Sequence, residues 1–179
     1  FPMESPDNST ILRSANSKPV IVHAPTCRYV KKTSVVLEAI QQLEEEDFEF
    51  KFILIENKSN RYILKTLKKA DILVDQPGTW VGRLAVEACQ AKCAVVGGNK
   101  SEYYSIFKSP VIQFDPSADS LLEILKSLLS SKKYLNNKKS ECYKFWNDYY
   151  SRDSFFEFYK SILNDSSAMF DPLPHQKDI

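Results

Sequence analysis

The chain is 179 residues long, 43% hydrophobic and 26% charged, which suits one domain of ordinary size with a buried core. Its 24 Lys and Arg against 23 Asp and Glu leave a formal charge of +1; this argues against a surface built throughout for nucleic acid but allows a local basic pocket. No apolar run is long enough to span a bilayer and no secretory signal is read at the start, while an opening on Phe1 reads as a processed chain or an excised piece of a longer one.

Residues 1–18 are polar, hold two prolines and have no period, so they read as a linker or arm. "PVIVHA" (19–24) is a short apolar run rich in β-branched residues, a buried strand. In 32–46, Val36, Ile40 and Leu43 fall at helical spacing, with Thr33 or Ser34 as the expected N-cap. "FKFILIE" (50–56) is a strand. A helix over 59–70 follows, opened by Ser59, with Ile63 and Leu67 on one face and lysines at the end that suit the dipole. "DILVD" (71–75) is a strand, 81–91 a helix and "CAVVGG" (93–98) a strand. "SEYYSIF" (101–107) reads as a short helix and "VIQFD" (111–115) as the last strand. Helices are expected near 118–130, 133–150 and 153–164, and 165–179 as a tail. The aromatic-rich run 142–159 is read as packing onto the sheet or onto a further domain, rather than as a membrane or nucleic-acid surface.

Strands alternating with helices mean βαβ units, so the fold class is α/β: a doubly wound parallel sheet with C-terminal helices, over residues 19–164. Such sheets bind ligands at the carboxyl ends of their strands. The loops to watch are therefore 24–32, 56–59, 75–82 and 97–102, each directly after a strand.

The first loop holds Arg28, Lys31 and Lys32 at a helix start, where acids are normally preferred. These cations are either solvated charges or the grip of a phosphate or diphosphate site. The third loop, "DQPGTWVG", lets backbone approach a ligand at Gly78 and Gly82, and the helix behind it offers free N–H groups and a positive dipole end. Glu87 lies on that helix between Ala85, Val86, Ala88 and Cys89. It either points to water or accepts two hydroxyl hydrogen bonds from a ribose diol. His23 ends the first strand, as a ligand contact or a structural residue. Trp80 covers the ligand or packs on the sheet, and Asn57 and Lys58, in the loop after the second strand, either contact the ligand or do not. Cys27, Cys89, Cys93 and Cys142 lack CxxC spacing and only His23 and His175 could join them, so no metal site is expected. The thiols read as reduced, which fits a reducing compartment.

"HAPTCRYVKKTSVVLEAIQQL", "ADILVDQ" and "GTWVGRLAVEACQAKCAVVGG", in that order and spacing, resemble the C-terminal, donor-binding domain of GT-B glycosyltransferases. The pattern is similar to the large retaining family called glycosyl transferases group 1, over about residues 19–164. The resemblance implies the Rossmann-like half of such an enzyme, with a nucleotide-sugar as substrate, UDP- or GDP-linked, and no metal or other cofactor. It assigns Arg28 and Lys31 to the diphosphate as the catalytic cations and Glu87 to the ribose. The loop residues Gly78, Thr79, Trp80, Val81 and Gly82 would face the donor. Lys32 stands where the family has a glycine, and Thr79 where it often has a second glutamate. The acceptor would come from an N-terminal domain absent from this chain. The expected location is cytoplasmic, with peripheral membrane association of the full protein as a further option; no nucleic-acid partner is expected. Two rival readings are a non-catalytic nucleotide-sugar-binding or scaffold domain, and a receiver domain with Asp75 as phosphoacceptor. The second lacks the acidic residues after its first strand that would hold Mg²⁺.

Overall fold

The computed structural model describes residues 17–77, 81–98 and 109–164. Most of the predicted arm, the short helix at 101–107 and the tail 165–179 lie outside the described residues. Five strands form one parallel sheet: β1 (Val20–His23), β2 (Lys51–Leu54), β3 (Ile72–Val74), β4 (Ala94–Gly97) and β5 (Ile112–Gln113). Their order across the sheet is β2-β1-β3-β4-β5. The helices are α1 (Thr33–Glu45), α2 (Asn60–Leu67), α3 (Arg83–Gln90), α4 (Ala118–Ser130), α5 (Lys132–Tyr150) and α6 (Arg152–Asn164).

Strands buried on both faces are near-continuously apolar, and β1, β3 and β4 are, apart from His23 at the end of β1. Their side chains alternate between two layers. Ile21, Ile72, Val74, Ala94 and Val96 meet α1 and α4 through Val36, Ala39, Ile40, Leu43, Leu121, Leu125 and Leu128. Val20, Val22, Leu73 and Val95 meet α2, α3 and α5 through Leu67, Ala85, Ala88, Cys89, Cys142, Phe145 and Trp146. Leu135, near the start of α5, belongs to the first layer. The helix thus passes from one layer to the other, tied on the way by Lys139 Nζ to Asp71 Oδ1 at 2.6 Å. Asp71 Oδ2 accepts the Val20 N–H at 2.9 Å, so one carboxylate joins α5 to the foot of the sheet. In the aromatic run, Phe145 and Trp146 pack on the sheet, whereas Phe155, Phe156, Phe158 and Tyr159 of α6 are exposed.

Element bounds differ from the expected ones by one to three residues, most at the end of α2, which stops at Leu67 rather than at 70, and at the start of α1 the difference has a cause. The N-cap of α1 is Lys32, not Thr33 or Ser34. Thr33 is already helical, and its hydroxyl is taken by His23. Lys32 sits in the left-handed region, φ 49° and ψ 43°, where glycine is unstrained and a side chain is not. The position at which the resemblance led one to expect glycine thus keeps a glycine-like backbone. Lys32→Gly is expected to raise stability by roughly 0.5–1 kcal/mol, the relief of left-handed strain less the added chain entropy and the lost contact of Lys32 with the Tyr29 ring. Urea unfolding measures it, and a loss of stability would show that Lys32 contributes more than its backbone costs.

Candidate functional site

β1 and β3 are neighbours in the sheet, yet α1 and α3, which follow them, leave to opposite layers. The gap between these two strand ends is the topological switch point, where doubly wound sheets take their ligands. The starts of α1 and α3 differ from those of the helices elsewhere. Ser59, Ser117 and Ser131 cap α2, α4 and α5 with their side chains. Neither α1 nor α3 has a side-chain cap, and neither has an acid in its first turn. Two sets of orphan N–H groups and two positive dipole ends are left beside one crevice.

The centre of the crevice is an ion pair. Asp75 follows β3, and its N–H extends the ladder to the Val96 carbonyl at 2.7 Å. Its side chain is 3% exposed and accepts a hydrogen bond from Lys31 Nζ through Oδ1. Its second oxygen faces the start of α3: a Cβ placed on Gly82 would stand 3.7 Å from Oδ2 and 3.9 Å from Gln76 Nε2. Glycine at 82 thus lets the helix end approach the carboxylate without a side chain between them. The loop from β1 brings Lys31 there by a tight turn, with Lys31 N–H donating to the Cys27 carbonyl at 3.0 Å and Thr33 N–H to that of Arg28 at 2.9 Å.

His23 lies below this pair and is fully buried. A carbonyl only accepts, so Nδ1 carries the proton and donates to Val74 O at 2.9 Å, and Nε2 accepts the Thr33 hydroxyl at 3.0 Å. Both ring nitrogens are satisfied inside the protein, so the ring works as a strut joining β1 to β3 and to α1. Burial is the main cause holding its pKa below the usual 6.5, against the raising effects of the Val74 carbonyl and the Asp75 charge.

Arg28 occupies the outer side of the same loop, with its side chain 58% exposed. It grips Glu56, just beyond β2, with two parallel bonds: Nε to Oε1 at 2.7 Å and Nη2 to Oε2 at 2.5 Å. This pairing raises the arginine's pKa and holds the Glu56 carboxyl below its usual range. On the other side of the crevice Glu87 is buried in α3, 4% exposed. Its Oε1 accepts Arg83 Nε at 2.8 Å and, more weakly, Asn60 Nδ2 of α2 at 3.4 Å. The alternative of a carboxylate pointing to water is thereby removed. Asn57 and Lys58 are exposed before α2, Asn57 with φ 53°. Val81 and Gly82 are half-buried at the start of α3, whereas Gly78, Thr79 and Trp80 lie outside the described residues.

The structure therefore gathers Arg28, Lys31, His23, Gly82 and Glu87 around two strand ends. It adds Glu56, Asn60 and Arg83, which were not singled out as site residues, and Asp75, which entered only as the phosphoacceptor of the receiver reading. The Arg83–Glu87 pair was readable from its i, i+4 spacing. Glu56 and Asp75 carried only the signal of an acid closing an apolar strand. Among the described residues no three His, Cys, Asp or Glu side chains cluster closely enough to hold a metal ion. A separate open groove of about 640 Å³ runs between residues 109–113 and α5. Its cations Lys138 and Lys144 pair with Glu141 and Asp148 on their own helix, and it lies at the β5 edge, away from the switch point.

Two measurements check this geometry. Removing one partner of a buried pair strands the other, so Asp75→Ala is expected to cost about 3–5 kcal/mol, and replacing both partners by Lys31→Met with Asp75→Leu to recover much of it. Additive losses in urea unfolding would contradict the pairing. For His23, the unfolded chain takes up a proton as pH falls through 6.5, while the folded protein resists it. Stability is then untouched by this group above about pH 6.5 and falls below it, by up to about 1.4 kcal/mol per pH unit. His23→Gln should flatten that slope; an equal slope in both proteins would contradict the neutral strut.

The sequence matches no protein-family model and no curated protein. Solved structures do match. The C-terminal domain of a glycosyl transferase group 1 family protein, LpcC, from Francisella tularensis aligns with a TM-score of 0.57 and 17% identity, over 75% of this chain and 87% of that one. Anabaena Alr3699/HepE, in complex with UDP and glucose, aligns with a TM-score of 0.60 and 12% identity, over 82% of this chain and 48% of that one. Sucrose-phosphate synthase from Thermosynechococcus elongatus gives 0.60 and 11%, over 82% and 46%. The chain thus spans about half of the latter two and most of the isolated C-terminal domain. At such identities the likeness establishes architecture: the chain has the Rossmann-like fold of the C-terminal domain of GT-B glycosyltransferases.

Proposed function

We propose that the chain is the nucleotide-sugar-binding half of a glycosyltransferase, completed by an N-terminal domain that supplies the acceptor. The observation that carries the reading is the switch point itself. Two helices without side-chain caps open there beside Lys31, and a carboxylate already sits where an anion would be held. The HepE structure, solved with UDP and glucose, supports it by likeness of fold.

The chemistry asks for what these residues have. Breaking a glycosyl–phosphate bond leaves an oxocarbenium-like sugar and a departing nucleoside diphosphate. Negative charge grows on the diphosphate, so fixed positive charge there lowers the barrier. Arg28 offers a bidentate fork and Lys31 a point charge, with the α3 dipole behind them. Glu87, buried beside Asn60 at the start of α2, would accept the two hydroxyls of a ribose once Arg83, which is 77% exposed, swings away. The donor would be UDP- or GDP-linked, and the sugar would lie against the loop holding Gly78, Thr79 and Trp80. Because Thr79 stands where a second glutamate is often found, binding without transfer is the second reading. Turnover by the full-length protein separates the two.

Calorimetry on this chain tests the site. Arg28→Ala and Lys31→Ala should each weaken nucleoside-diphosphate binding by roughly ten- to a hundredfold, the loss of one charge-assisted contact. Unchanged affinity in both variants would overturn the diphosphate assignment. Glu87→Gln should leave the melting temperature and pyrophosphate affinity nearly unchanged while weakening nucleoside diphosphates, since the amide offers one acceptor where the carboxylate offers two. Equal losses for both ligands would make Glu87 a support for the loop before it rather than a ribose contact.

A further inference from the structure

The two cations assigned to the diphosphate are not free in this structure, and they are held in different ways. Lys31 is buried against Asp75, and both side chains are almost entirely removed from water. Arg28 and its partner Glu56 are exposed, 58% and 30%. The two pairs stand side by side: Arg28 and Lys31 share the tight turn after β1, and their partners Glu56 and Asp75 follow β2 and β3, the strands on either side of β1. A buried pair is costly to separate, since each ion is left without water or partner. An exposed pair separates readily, since water replaces the partner.

We propose that Glu56 is a latch on Arg28: in the free protein it occupies the guanidinium fork, and an incoming diphosphate takes that fork over while Lys31 stays on Asp75. The inference rests on the diphosphate reading above and adds the residue that sets its affinity. A carboxylate and a phosphate present the same pair of oxygens to an arginine, and Glu56 already uses both donor positions of one edge through Nε and Nη2. The two anions therefore compete for one edge of one side chain. Lys31 is a fixed post with three donors, of which Asp75 Oδ1 is seen to take one. It can receive a phosphate oxygen without leaving its partner. The exchange also has a direction. The diphosphate gains Lys31 and the helix ends together with Arg28, whereas Glu56 returns to water at the surface. Glu56 is thus a positioning residue, acting through Arg28 and touching no ligand itself.

The latch makes a prediction that a merely structural ion pair does not. Freeing Arg28 should tighten anion binding, and the gain should vanish when Arg28 is absent. Inorganic pyrophosphate and UDP are titrated calorimetrically into the 179-residue chain and into Glu56→Gln, Glu56→Ala, Arg28→Ala and the double variant Arg28→Ala/Glu56→Gln, with melting temperatures recorded for all. Both Glu56 variants are expected to bind about two- to fivefold tighter than the wild type, the tightening expected when an exposed ion pair no longer has to be broken first. The double variant is expected to match Arg28→Ala. Affinity unchanged or weakened in folded Glu56 variants would overturn the latch while leaving the diphosphate reading standing. A gain of equal size in the Arg28→Ala background would overturn it too, by showing that Glu56 acts only through its charge. If neither the wild type nor any variant binds either ligand, the latch and the diphosphate reading fall together.

Discussion

Asp75 is the residue on which the arrangement at the strand ends depends. It ends β3 at the switch point, with one oxygen on the ammonium of Lys31 and the other toward Gly82 at the start of α3. A buried carboxylate in that position needs positive charge on more than one side. The fold supplies it from the loop after β1 and from a helix dipole. His23 beneath the carboxylate fixes the relation of β1, β3 and α1 without carrying charge of its own.

Around this centre the sheet does two separable jobs. Its lower end is tied by Asp71, which joins β1 and α5, while its upper end carries Arg28, Lys31, Glu56, Asp75 and Glu87. Three acid–base pairs stand at the upper end, Arg28–Glu56, Lys31–Asp75 and Arg83–Glu87, whereas Lys32 and Lys58 lie over the Tyr29 and Tyr62 rings. With Arg28, Lys31 and Arg83 already paired, an incoming anion competes with the resident carboxylates. Under the function proposed above, a ligand must offer more to this set of cations and helix ends than the resident carboxylates do, which is the part assigned there to the diphosphate. The same logic explains why the groove between β5 and α5, with its lysines paired along one helix, makes no comparable set.

The strands and helices were legible in the sequence because their signals are local. A short run rich in β-branched residues, such as "VIV" at 20–22, reads as a buried strand, and Val36, Ile40 and Leu43 repeat at helical spacing on the buried face of α1. The cap of α1 was not legible, because a hydroxyl at a helix start looks like a cap unless its competing partner is known. That partner, His23, is ten residues earlier in the chain. The cations of the first loop were readable as a cluster, but their partners were not: Glu56 lies 28 residues from Arg28 and Asp75 lies 44 from Lys31, joined only by the strand order. Glu87 could be seen as out of place on an apolar face and Arg83 as its partner from the i, i+4 spacing, yet the further contact from Asn60 at the start of α2 could not.

The claim that the switch point is the binding site is tested most directly by amide resonances of the isotope-labelled chain during titration with UDP. Shifts confined to the loop after β1, the residues around Glu56 to Asn60 and the start of α3 near Gly82 and Glu87 are what this account predicts. Shifts confined instead to the groove between β5 and α5, or none at saturating ligand, would contradict it.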